Sequence, residues 1–131
     1  MKITEIAFTG YPVTDMQRSR DFYEKTLGLS VSRKWGQDDD PQWVEYDIGS
    51  GCLALITGAG DKWPPANAGP AVALEVDDFD GFMTKLRTAG TKFLWEPQDS
   101  PMCRMAIILD PDENRLALHH RKPTTTSKQS S

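Results

Sequence analysis

The sequence predicts an α+β protein built from one βαβββ module written twice, and three alignments at an almost constant offset predict it. Val13-Thr14-Asp15-Met16 matches Val76-Asp77-Asp78-Phe79 at 63 residues, Gly28 matches Gly90 at 62, and Leu53-Ala54-Leu55 matches Leu116-Ala117-Leu118 again at 63. A period this long belongs to a duplicated supersecondary unit rather than to a solenoid repeat. A chain of 131 residues suits one domain or two halves sharing a core, and it buries roughly 65–70% of its unfolded surface without needing a disulfide or structural metal.

Taken in order, ITEIAFTGYPV reads as a strand broken by Gly10 and Pro12, with Pro12 at an edge because proline donates no amide hydrogen. TDMQRSRDFYEKTLG reads as one helix. Asp15 is its N-cap, Met16, Phe22, Tyr23 and Leu27 form its apolar stripe, and Gly28 is its left-handed stop. LSVSRKW, QWVEYDI and CLALIT come next as strands, with QDDD (37–40) as a solvated loop. GAGDKWPPANAG carries no periodicity and is a linker. PAVALEV then restarts the order, succeeded by a helix from Asp78 to Gly90 and the strands TKFLWEP, CRMAIILD and NRLALHH. The predicted boundaries are 1–58 for the first module, 59–68 for the linker, 69–121 for the second module and 122–131 for a disordered tail with almost nothing apolar to bury.

Fifteen basic against 19 acidic residues give a net charge of −4. That balance excludes nucleic acid and anionic membrane surfaces as partners in the absence of a basic patch, and no apolar run approaches the ~18 residues that span a bilayer. Cys52 and Cys103 lack CxxC spacing and read as free thiols of a cytoplasmic protein.

VTDMQRSRDFYEKTLGL resembles the "V-x-D-x-x-R-[SA]-x-x-F-Y-x-x-x-L-G-L" helix signature of the vicinal oxygen chelate superfamily, which holds glyoxalases, extradiol dioxygenases and bleomycin-resistance proteins. ILDPDENRLALHH is similar to that family's "DPDGN-x-[IL]-E-[LI]" closing hairpin, with Glu113 where the family usually has Gly. A non-glycine residue in that left-handed turn position costs roughly 1 kcal/mol. The resemblance implies a glyoxalase-like fold, two modules that each roll a half-open curved sheet around a cavity, and a homodimer.

It also implies four metal-ligand positions, one on the first and one on the last strand of each module. Seven residues before Asp15 and Asp78 stand Phe8 and Ala71, and the middle of each Leu-Ala-Leu triplet is Ala54 or Ala117. All four are hydrocarbon, whereas a divalent ion needs convergent O, N or S lone pairs, so neither metal nor cofactor is expected. Strand alternation sends His119 to the face of Ala117 and His120 with Leu116 and Leu118 to the other. Cys52 shares a face with Ala54, and Glu75 with Ala71, so His119, Glu75 and Cys52 form a conceivable rebuilt cluster, or a base with its neighbours.

The leading expectation is a metal-independent protein that binds a small organic molecule in an apolar pocket lined by Phe8, Trp35, Cys52, Ala54, Ala71, Trp95, Ala117 and His119. Its alternative is a lyase, isomerase or dioxygenase-like enzyme using a relocated metal or His119 as base. A scaffold whose hollow is filled by its own side chains, Phe8 among them, stays open beside these. His119 hydrogen-bonded to backbone at a strand end, and the cysteines as small buried hydrophobes, are the plainer alternatives.

Overall fold

The computed structural model describes residues 1–2, 4–65 and 70–123. The last residues of the expected linker, 66–68, and the expected tail from residue 124 lie outside the described residues. Eight strands fall into two four-stranded sheets. The first holds β1 (Thr9–Pro12), β2 (Arg33–Gln37), β3 (Asp40–Ile48) and β4 (Gly51–Ile56) in the order β1-β4-β3-β2. The second holds β5 (Val72–Glu75), β6 (Lys92–Asp99), β7 (Cys103–Leu109) and β8 (Arg115–Arg121) in the order β5-β8-β7-β6. In each, the short first strand lies parallel to the last, and the other pairs are antiparallel. The duplication reaches the register: Gly10 beside Ala54 recurs as Ala73 beside Ala117, each partner 63 residues later.

Two compact units result, Met1–Gly69 with Asp110–Asn114, and Pro70–Leu109 with Arg115–Ser131. The turn of the closing hairpin thus belongs with the first unit, although its flanking strands belong to the second.

In the first unit, the chain from Asp15 enters α1 (Met16–Arg20), capped by the Asp15 carboxylate accepting from Arg18 N–H at 3.1 Å. The single α-helix expected up to Gly28 ends instead at Arg20. Residues Asp21–Thr26 wind as a π-helix, with Leu27 N–H bonding the Phe22 carbonyl five residues back. The wider turn lets the sequence neighbours Phe22 and Tyr23 both enter the core, where Tyr23 stacks on Tyr46 at 6.1 Å. Tyr46, Val44, Leu53 and Leu55 are buried on that face of the sheet. The first strand is also shorter than expected and includes Gly10 and Pro12 instead of stopping at them. As an edge strand, β1 needs ladder bonds on one side only, and Val13 N–H supplies the next bond to the Ile56 carbonyl. The expected QDDD loop contracts to a two-residue turn, since Gln37 and Asp40 already pair.

The hairpin turn is fixed by a buried carboxylate. Asp110 Oδ1 accepts from the Asp112 and Asn114 backbone N–H groups at 2.9 and 2.8 Å, and Oδ2 accepts from Tyr23 OH and Asn114 Nδ2, both at 2.9 Å. Glu113 stands at φ 67°, the left-handed conformation its position implied.

In the second unit, α2 (Phe79–Thr88) is capped by Asp78 accepting from Gly81 N–H at 3.0 Å and buries Phe79, Met83 and Leu86. Arg104 lies over the Phe79 ring, which puts Arg104 and its register partner His120 on the helix face of the sheet. Ala106, Ile108, Leu116 and Leu118 are fully buried on that face.

Candidate functional site

Alternation along each strand leaves every sheet one face turned away from its helix. On the first sheet that face is read in rows, because register partners point the same way. One row runs Gly10, Ala54, Glu45, Arg33 across the four strands, and the next runs Pro12, Ile56, Trp43, Trp35. Phe8 meets Trp43 edge-on at 5.2 Å, and Trp43 meets Trp35 at 6.5 Å with the rings 75° apart. The Trp63 indole lies over Gly10, so close that a Cβ there would stand 2.8 Å from Cη2. Trp35, Trp43 and Glu45 border a shallow hollow of about 370 Å³ that is widely open to solvent. A second hollow of about 270 Å³ lies between Trp63, Ile56, Pro12 and Val13.

The charges on this face are ordered. Arg33 Nε donates to Glu45 at 2.6 Å, its NH groups donate to both oxygens of Asp47, and Trp43 Nε1 donates to the other Glu45 oxygen at 2.8 Å. Burial pushes the Glu45 carboxyl up, but the hydrogen bonds from Arg33 and Trp43 outweigh it and hold the group below the usual carboxylate range. Burial first, then the Glu45 charge, pushes the Cys52 thiol up. A thiol held protonated in this way is a poor nucleophile.

On the second sheet the equivalent rows run Ala73, Ala117, Ile107, Trp95 and then Glu75, His119, Met105, Gln98. His119 Nδ1 lies 2.6 Å from Glu75 Oε1, and the other Glu75 oxygen accepts from Arg121 N–H at 2.7 Å. The Arg121 amide, with His119 second, holds the Glu75 carboxyl below its ordinary range. A carboxylate on Nδ1 fixes the imidazole tautomer with its proton there, which leaves Nε2 the lone pair that accepts a proton. Shifted by 63 residues, this pair occupies the places of Pro12 and Ile56.

Of the residues singled out from sequence, Phe8, Trp35, Cys52 and Ala54 lie on the first open face, and Trp95, Ala117 and His119 on the second. Phe8, Trp35 and Trp95 are exposed, while Ala54 is fully buried. Ala71 is exposed and precedes β5. His119 and Glu75 meet. Cys52 belongs to the first unit, 4.0 Å from Arg33, and the three-residue cluster is not gathered: among the described residues no three His, Cys, Asp and Glu side chains group as a metal would need. The register sets Gly10 beside Ala54 and Ala73 beside Ala117, and the side chains of glycine and alanine offer a cation no lone pairs. The donor set of the family's metal centre does not fit these positions. Reading the sequence alone left out Glu45 and Asp47, whose signal was the alternation W-V-E-Y-D in 43–47 that puts both acids on the tryptophan face. Among the described residues no helix is long and apolar enough to cross a membrane.

Solved structures share this fold. TnmS3, an antibiotic binding protein from Streptomyces sp. CB03234, superposes with a TM-score of 0.76 at 24% identity over 93% of this chain and 99% of its own. A glyoxalase/bleomycin resistance protein from the same strain gives 0.68 at 25% identity, covering 87% and 98%. A superfamily member from Sphaerobacter thermophilus DSM 20745 gives 0.73 at 24%, covering 91% and 98%. No curated protein matches at a significant level. The family profile described as Glyoxalase/Bleomycin resistance protein/Dioxygenase superfamily matches residues 5–118, spanning both βαβββ units, and the chain therefore belongs to that superfamily.

Proposed function

We propose that the chain is a metal-independent member of the superfamily that binds a small organic molecule against the open faces of its sheets, as a cytoplasmic homodimer. The observation that carries this reading is the composition of those faces. Hydrocarbon stands at the positions where a cation would be held, and Phe8, Trp35 and Trp43 on one sheet and Trp95, Met105 and Ile107 on the other supply the apolar, aromatic lining that organic ligands use. Cys52 extends the proposed lining on the first sheet, with the buried Ala54 behind it, and Ala71, Ala117 and His119 extend the proposed lining on the second. TnmS3, a structural neighbour described as antibiotic binding, fits a role in sequestration. The exposed Ile6, Leu94 and Met102 supply apolar surface for a second copy, and the free thiols suit a reducing compartment.

The test is a thermal-melt screen of the purified protein against a library of hydrophobic and aromatic compounds, run beside elemental analysis. A ligand at about a hundred times its Kd adds about 2.7 kcal/mol of stability, which a melt registers as several degrees. Stoichiometric metal, or a melt raised by one divalent ion alone, refutes metal independence. A library that shifts nothing refutes binding.

The His119–Glu75 pair favours a second reading, an enzyme in which His119 Nε2 takes a proton from the substrate while Glu75 orients the ring and stabilises the imidazolium. Turnover abolished by His119→Gln but not by EDTA supports it; product formation unchanged in that variant removes it.

A further inference from the structure

We propose that the hollow between Trp35 and Trp43 receives an organic cation, a protonated amine or quaternary ammonium group, with Glu45 as its counter-charge. This deepens the small-molecule reading and rests on it. Two tryptophan rings set at 75° present two π-faces at an angle, and the negative face of an indole attracts a cation within about 6 Å. Glu45 lines the same hollow. Its carboxylate is shared with Arg33, but that guanidinium is divided between two acids, Glu45 and Asp47, so the three groups keep a net charge of −1. Lys34, the other cation of the hairpin, pairs with Val44 and therefore points to the opposite face. Beyond the tryptophans the same two strands end at Asp38, Asp39 and Asp40. The hollow thus has one carboxylate on its wall, within an Arg33, Glu45 and Asp47 group of net charge −1, and the hairpin turn adds acidic residues further along the same two strands. That field repels anions, and the aromatic walls give a soft, weakly hydrated cation its advantage over a small inorganic one.

The probe pair is 4-(trimethylammonio)phenol and 4-tert-butylphenol, which share shape and differ in charge. Binding is read by tryptophan fluorescence and calorimetry on the full chain. The cation should bind about tenfold more tightly than its neutral isostere, and that preference should shrink as salt rises from about 50 to about 500 mM. Glu45→Gln should reduce the preference to about twofold, while Trp35→Ala, at a ring already half exposed, should weaken both probes. Because Glu45→Gln also removes an Arg33 partner, the surface variant Asp38→Asn/Asp39→Asn/Asp40→Asn is run in parallel and should lower the cation's affinity by about threefold with an unchanged melt. Equal or tighter binding of 4-tert-butylphenol overturns the cation proposal and leaves the small-molecule reading standing. Binding of neither probe also overturns it, and the library melt then decides the broader reading on its own.

Discussion

Asp110→Asn is the substitution whose effect can be worked most fully from the structure. Its carboxylate is 3% exposed and accepts four hydrogen bonds, two on each oxygen. An asparagine oxygen can keep the two backbone donors. The amide nitrogen then replaces Oδ2 and faces Tyr23 OH, which can rotate to accept, and Asn114 Nδ2, which cannot. Turning the Asn114 amide would aim its oxygen at the Pro12 carbonyl, to which Nδ2 now donates at 2.9 Å. Hydrogen bonds to a charged group contribute about 1.5–3 kcal/mol each and an orphaned buried donor costs about 1–3 kcal/mol. The relief of no longer burying a charge offsets part of this, leaving a loss of about 2 kcal/mol at neutral pH. For a chain of this size that is a fall of roughly 8 °C in Tm. The pH dependence gives a second check. Burial raises the Asp110 pKa above its ordinary value despite its donors. Its contribution is therefore largest below the unfolded pKa and fades as pH rises through the folded one. Carboxylates with lowered folded pKa values, Glu45, Asp47, Glu75 and Asp99, lose stability on acidification in both proteins and cancel in the difference. The gap between wild type and variant, measured by urea unfolding, should widen as pH falls from 7 towards the ordinary aspartate range. A variant as stable as wild type at neutral pH, or a gap that narrows in acid, refutes this account.

Glu113→Gly should stabilise the protein by about 0.5 kcal/mol in the same assay, the relief of left-handed strain at φ 67° less the entropy that glycine brings to the unfolded chain. Gly10→Ala should displace the Trp63 indole, because the new methyl would stand 2.8 Å from its Cη2 and 3.1 Å from Ile56 Cδ1; a red-shifted tryptophan emission with less than about 1 kcal/mol lost is expected, and an unchanged spectrum would place Trp63 elsewhere. Glu75→Ala should abolish the single His119 tautomer by removing the partner of Nδ1, read as ring ¹⁵N shifts moving from a protonated Nδ1 towards the tautomer average at neutral pH.

The duplicated order, both caps, the stops and the turn were legible because each rests on local chemistry. Asp15 and Asp78 each accept from an amide three residues further on, and Gly28 and Gly90 adopt φ of 79° and 75°. Which face each strand residue takes was equally legible, since alternation needs only one anchor, such as the Leu-Ala-Leu triplets. The π-wound turn was not, because it is set by where Tyr23 must stand to reach both Tyr46 and Asp110, a tertiary demand that leaves the helical spacing of apolar residues unchanged. The residues opposite one another were also hidden. Pairing Glu75 with His119 requires knowing that β5 lies parallel to β8 and in what register.

The duplication supplies an internal comparison that bears on function. On the helix faces the two copies stay alike: Leu53 and Leu55 recur as Leu116 and Leu118, and Val13 recurs as Val76, all buried. Packing against a helix tolerates little change in volume, so these positions are held by the fold. On the open faces the copies part. Pro12 beside Ile56 in the first becomes Glu75 beside His119 in the second, and Trp43 beside Ile56 becomes Met105 beside His119. Nothing in the core requires an acid–base pair in one copy and an apolar pair in the other, because both sites carry the same backbone register. A difference that the fold does not demand is the place to look for chemistry. Exchanging the pairs tests this: Glu75→Pro would break the strand, but His119→Ile with Glu75→Gln keeps the ladder. That double variant should melt within about 1 kcal/mol of wild type, as substitutions of partly exposed side chains away from the core do. If it unfolds instead, the pair is holding the second sheet together, and its claim to a functional role lapses.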